Sequence, residues 1–305
     1  ATGTPTRSPV PTSPPVPSPP PRPVIPPRQP LGFDAQPPPG VSGVEAQLWA
    51  EPIIPAPGPR VWAIFEAGRA MGNRAGVFSK VGDCHTAAHA FLLPLGVGEY
   101  DLGPYGFLQA DITFFSSVSP RQGVPNAFEN QSMAASSAFN AAAVLDSSWA
   151  DPTHCQPGES PLVCEYRLVR PAIAIITLGS VDVQIYSAEQ FRASLNEVVQ
   201  TTIGRGIIPV LVNFPTHPDY FGEQSLAFNA VILDIARQER IPLVNLWRAS
   251  RQLPNHGLEG DNFHFAHPED RFISFNGHER QYAMTLHNLL TLLMLDTLRV
   301  NVLGG

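Results

Sequence analysis

The chain is poor in charge and almost without lysine. Only 15% of its 305 residues are Asp, Glu, Lys or Arg, and Lys80 is the sole lysine among 19 basic residues. A net charge of -7 excludes the basic footprint that nucleic-acid binding requires. No apolar run reaches the length of a membrane span, and the longest candidates, 172–178 and 206–212, are strand-sized. Cysteine is scarce as well, with three residues. Cys155 and Cys164 bracket a short segment turned by Pro157-Gly158, which fits a local disulfide in an oxidising compartment and leaves Cys84 unpaired.

What is abundant is proline, 34 residues, concentrated at the start. Residues 1–43 are rich in Pro, Ser and Thr and favour an extended polyproline conformation without a core of their own. The chain opens at Ala1 in low-complexity sequence, which fits a signal peptide already removed. Secretion to the extracellular space or cell surface is therefore expected. Asn130-Gln131-Ser132 is a glycosylation sequon, which makes Asn130 a candidate acceptor. Such a tail, when ordered, is held by its own globular domain or by a neighbouring subunit. At ~3.1 Å per residue it reaches on the order of 100 Å, enough to join copies into a homo-oligomer or polymer.

From residue 44 onward strands and helices alternate. Apolar runs at 76–81, 172–178, 207–214 and 242–246 read as buried strands. Helical spacing occupies 61–71, 187–203 and 224–238, and a long closing helix covers 282–300. Continuous apolar strands separated by helices predict one α/β domain over 44–305, with a parallel sheet covered on both faces.

Ligands in such sheets bind at the carboxyl ends of strands. Three blocks at those ends carry chemistry. Gly82-Asp83-Cys84 puts a thiol at a helix N-terminus, where its pKa should fall. Gly179-Ser180-Val181-Asp182 follows the second strand. Asp261 lies three residues before His264, a spacing that lets the carboxylate hold one imidazole nitrogen while the other faces a nucleophile.

In this order the blocks resemble those of SGNH (GDSL) hydrolases, over about residue 61 to the end. The resemblance implies a flavodoxin-like three-layer α/β/α sandwich and ester hydrolysis, commonly of acyl groups on carbohydrate or lipid. It maps a triad onto Cys84, His264 and Asp261. It maps oxyanion positions onto Val181 and onto the stretch around Ser136. Cys84 stands where that family has Ser, and Val181 stands where it has Asn. Losing one oxyanion donor costs ~10²–10³ in rate. A degenerate site in a self-assembling extracellular protein is thus expected, ahead of an active esterase or thioesterase or a carbohydrate-binding module. His85 and His89, four apart beside Cys84, raise a zinc reading, but they are expected to be ordinary polar positions. His278 and His287 are expected at the surface. No metal and no cofactor are expected.

Overall fold

The computed structural model describes residues 24–137 and 139–304. Among these described residues six strands form: β1 (Arg74–Gly82), β2 (Tyr100–Asp101), β3 (Pro171–Thr177), β4 (Ile208–Val212), β5 (Leu243–Val244) and β6 (Ile273–Ser274). The α-helices are α1 (Gly43–Ala50), α2 (Pro59–Ala70), α3 (Cys84–Ala87), α4 (Leu93–Val97), α5 (Gln109–Ser116), α6 (Pro161–Val169), α7 (Ala188–Gly204), α8 (Gly222–Glu239), α9 (Leu246–Ser250) and α10 (Ala283–Leu298).

The main sheet is parallel throughout, in the order β1-β3-β4-β5. Lys80 is in register with Ile175, and Gly82 with Thr177. All seven residues of β3 and all five of β4 are buried. Their Ile- and Val-rich runs have no polar alternation because both faces are covered. One group of helices, α2, α5 and α10, packs against the sheet, and α6, α7 and α8 form a second group. Every residue of α10 is buried, its polar His287, Asn288 and Asp296 along with its Leu and Met side chains. No described helix is long and apolar enough to cross a membrane.

Flavodoxin-like sheets carry a further strand outside the first. In this chain that edge is taken by an irregular loop. Gly82 N donates to Ala134 O, and Ser136 N donates to Gly82 O. The two-residue β2 pairs with β6 in a small separate sheet.

Residues 24–42 have no strand and cross their own domain. The side-chain amide of Asn301 brackets Ile25, accepting from its N–H at 2.6 Å and donating to its carbonyl at 3.1 Å. Gln29 does the same to Ile54, at 3.1 and 2.8 Å. Leu31 N donates to the Tyr105 hydroxyl, Arg280 donates to Leu31 O, and Phe33 is buried. The remainder of the Pro-rich stretch, residues 1–23, lies outside the described residues.

Cys155 and Cys164 form a disulfide. It ties the turn at 156–159 to α6, whose N-terminus Ser160 caps by accepting from Val163 N. The glycosylation reading at Asn130 is corrected. Its side chain is fully buried, donates to Glu165 Oε1 at 2.9 Å and accepts from Arg121 Nε at 3.0 Å, so a glycan has no room. His287 is also not at the surface: it is completely buried and stacks on Phe91 at 4.3 Å.

Candidate functional site

The three blocks converge at one edge of the sheet. β1 ends at Gly82, whose lack of a side chain is required, since a Cβ there would meet Thr86 Oγ1 at 2.2 Å and Thr177 O at 2.3 Å. Asp83 then caps α3 by accepting from His85 N at 3.0 Å, which places Cys84 at the first helical position, half-buried. The helix is one turn long, so its dipole is weak. Burial pushes the Cys84 thiol up to about 12, and the neighbouring Asp83 carboxylate adds to the effect. The expectation of an acidified thiol is thereby reversed.

Asp261 and His264 sit in a loop. Asp261 Oδ1 accepts from the N–H groups of Phe263 (2.9 Å) and His264 (3.0 Å), while Oδ2 lies 2.6 Å from His264 Nδ1. Burial alone would raise the Asp261 carboxyl. These hydrogen bonds outweigh it and hold it down to about 2. The Asp261 charge acts on Cys84, and both act on Tyr220, whose hydroxyl is pushed up to about 12, first by its own burial. Cys84, Asp261, His264 and Tyr220 therefore share one site. Cys84 Sγ nonetheless meets His85 Nδ1, at 3.9 Å, rather than His264, and the backbone N–H groups of Cys84 and His85 also act on it.

Sequence reasoning missed the group beneath the thiol. His85 is buried, with Nδ1 3.2 Å from both Asp83 Oδ1 and Ser180 Oγ. Ser180 Oγ donates to Asp83 Oδ2 at 2.6 Å. The His85 ring stacks on Phe265 at 3.8 Å, meets Phe263 edge-on at 5.0 Å and lies 5.9 Å from the His264 ring. The Asp83–Ser180–His85 network thus joins the first block to the second, and its ring contacts join both to the third. The one clue in sequence is Asp83 two residues before His85, the spacing of an N-cap that brings carboxylate and imidazole together. His89, by contrast, lies beyond α3 and is exposed.

The second block is structural. Asp182 accepts from Gly179 N at 3.0 Å and Ala141 N at 2.8 Å, and burial raises its carboxyl to about 7. Val181 is half-buried, and its side chain offers no hydrogen-bond donor. Ser136 is corrected as an oxyanion donor, because its N–H is spent on Gly82 O at 3.2 Å. Donor atoms of Asp83, Cys84 and His85, and separately of Glu259, Asp261 and His264, each fall within 4.8 Å of one another. The first set is already engaged in hydrogen bonds and the second is an exposed loop, so neither is a built metal centre.

No family model matches the chain, and no curated protein matches it. Solved structures similar to it include TesA, at 18% identity over 74% of this chain and 99% of that one, with a TM-score of 0.45. A lipase/acylhydrolase from Enterococcus faecalis is 16% identical over 71% of this chain and 93% of its own, with a TM-score of 0.43. The psychrotrophic esterase EstA from Pseudoalteromonas sp. is 13% identical over 74% and 97%, with a TM-score of 0.42. At such identities and TM-scores nothing about activity passes from these proteins to this chain.

Proposed function

We propose that this chain is an extracellular, SGNH-hydrolase-like protein whose hydrolytic site is degenerate and which acts by binding. The observation that carries the reading is the placement of Cys84, a half-buried thiol beside Asp83 that makes no hydrogen bond to His264 among the described residues and meets only His85 Nδ1, at a long 3.9 Å, a nitrogen already engaged by Asp83 and Ser180. An acyl-transfer nucleophile needs the opposite arrangement. Val181 and the engaged Ser136 amide remove two donors that would stabilise an oxyanion. The disulfide supports an oxidising compartment. Tyr220 stacks on Phe263 at 5.1 Å and meets the exposed Phe221 edge-on at 5.0 Å. These rings favour a ligand with a flat apolar face, such as a carbohydrate ring.

Self-association through the Pro-rich stretch remains part of the proposal, but its seat moves. Residues 24–33 are held against their own domain, so the deletion that tests the idea is confined to residues 1–23. Two measurements test the reading. Turnover of p-nitrophenyl acetate by purified protein should be low and insensitive to Cys84→Ala. Robust turnover abolished by that change would establish an esterase instead. Light scattering should show copies associating in a manner lost on deleting residues 1–23, and unchanged assembly would remove the tail from the mechanism.

A further inference from the structure

Parallel strands all begin at one edge of the sheet, here the edge opposite Cys84 and His264. The chain enters β3 and β4 at that edge through two arginines. Arg170 caps the end of α6 immediately before β3, and Arg205 caps the end of α7 shortly before β4. Between these helix ends lies a cavity of about 450 Å³. Val163, Arg167 and Arg170 recur at i, i+4 and i+7, so one stripe of α6 faces it. Met71 and Ile207 extend the apolar part of the wall, and Met71 is 57% exposed.

The charges in this wall do not balance. Its one carboxylate among the described residues, Glu159, accepts from Arg167 Nε at 2.6 Å, from Arg167 Nη2 at 2.8 Å and from Gln156 N at 2.7 Å. Arg170 and Arg205 are both exposed, and their guanidinium groups make no hydrogen bond or ion pair among the described residues. Arg170 instead acts on a like charge, Arg74, whose guanidinium donates to the carbonyls of Ser119, Pro120 and Val169 and to no carboxylate there. A helix C-terminus favours a positive side chain through its dipole. That does not account for two of them converging, uncompensated, on one cavity with apolar walls, in a chain whose net charge is -7.

We propose that this cavity binds a small amphiphilic anion, a carboxylate, sulfate or sulfonate carried on an apolar body. The anionic head sits between Arg170 and Arg205, whose planar guanidinium groups suit paired oxygens. The body lies against Met71 and Val163. Arg167, fixed by Glu159, holds the α6 side of the wall. The volume falls within the ~300–1,000 Å³ of small-molecule sites. This site is at the far end of the sheet from Cys84 and does not depend on the function proposed above.

The test is a titration of the full chain, labelled with 13C at its methionine methyl groups, with naphthalene-1-sulfonate. The chain has four methionines, so the spectrum is simple, and Met71→Leu assigns the cavity signal. The Met71 methyl should shift saturably at millimolar probe or below, while the buried Met284 and Met294 stay in place. Naphthalene-1-sulfonamide has the same body without the charge, and inorganic sulfate has the charge without the body; each should bind at least ~10-fold more weakly. Arg170→Gln and Arg205→Gln should each weaken binding by roughly 3–10-fold, and Arg170→Lys by less. A Met71 signal that does not move, a sulfonamide or inorganic sulfate that binds as well as the sulfonate, or an unchanged affinity in the Arg170→Gln, Arg205→Gln double variant would each overturn the proposal. The comparison of probes on the wild-type chain stands whether or not the variants fold.

Discussion

The Cys84 thiol offers a direct measurement of the site's electrostatics. Cys155 and Cys164 are bonded to each other, so a disulfide reagent such as dithionitrobenzoate reports on Cys84 alone. An ordinary thiol ionises near 8.5, whereas this one is pushed up to about 12. At pH 8 the thiolate fraction falls from about a quarter to about 10⁻⁴, a loss on the order of 10³. A more basic thiolate is intrinsically a better nucleophile and recovers roughly 10–50-fold. The native protein should therefore react about 10²-fold more slowly than the urea-unfolded chain, and its rate should climb about tenfold per pH unit without a plateau below about pH 10. Asp83→Asn should speed the reaction by removing the adjacent charge. The linkage has a definite sign. The folded pKa lies above the unfolded one, so the thiol's contribution to stability is present below about pH 8.5 and is lost as pH rises toward 12. A native rate within a few-fold of the unfolded rate at pH 8, or a plateau near pH 8, would refute the reasoning.

Other outcomes are equally specific. In a Cys84→Ser background, Val181→Asn should raise p-nitrophenyl acetate turnover by less than the ~10²–10³ typical of an oxyanion donor, since the Ser136 amide stays occupied; a full gain in steady-state kinetics would show a working hole. Replacing Cys155 and Cys164 together by Ser should cost about 2–3 kcal/mol for a loop of this size, read from urea midpoints. His287 is buried and held neutral, its pKa lowered to about 3 by burial and by His85. The unfolded chain protonates this residue first, so acid stability should fall by up to ~1.4 kcal/mol per pH unit below about pH 6.5, and His287→Leu should flatten that limb in denaturant titrations. Gln29→Ala should destabilise by roughly 1–2 kcal/mol through its two lost bonds to Ile54.

Much of the sheet was legible because parallel strands buried on both faces read as unbroken apolar runs. The expected strands at 172–178 and 207–214 appear as β3 and β4, and the closing helix at 282–300 as α10. Local spacing also sufficed for the Cys155–Cys164 pair and for Asp261 and His264. What was hidden is tertiary. Nothing around Ser136 announces that its amide would substitute for an edge strand at Gly82. The burial of Asn130 depends on Glu165 and Arg121, which sequence does not bring near it. His287 looked like a surface residue because the apolar surroundings that neutralise it come from Phe91, nearly two hundred residues earlier in the chain. The Asp83–Ser180–His85 network joins two strand ends and could be assembled only once β1 and β3 were known to be neighbours.

The amide of Asn301 holds Ile25 by both its N–H and its carbonyl, a few residues from Gly304. The two extremities of the described chain consequently leave the body beside each other. Tension applied between them, as by a tether on each, would meet this clasp before it met the sheet. Two hydrogen bonds pulled apart in sequence give way at low force, and the length released would come from residues 25–28, up to the next anchor at Gln29, while β1 to β5 stayed loaded little or not at all. In a pulling experiment the first event should be a short extension of about four residues' contour, roughly 3.3–3.6 Å each, well below the force at which the domain itself unravels.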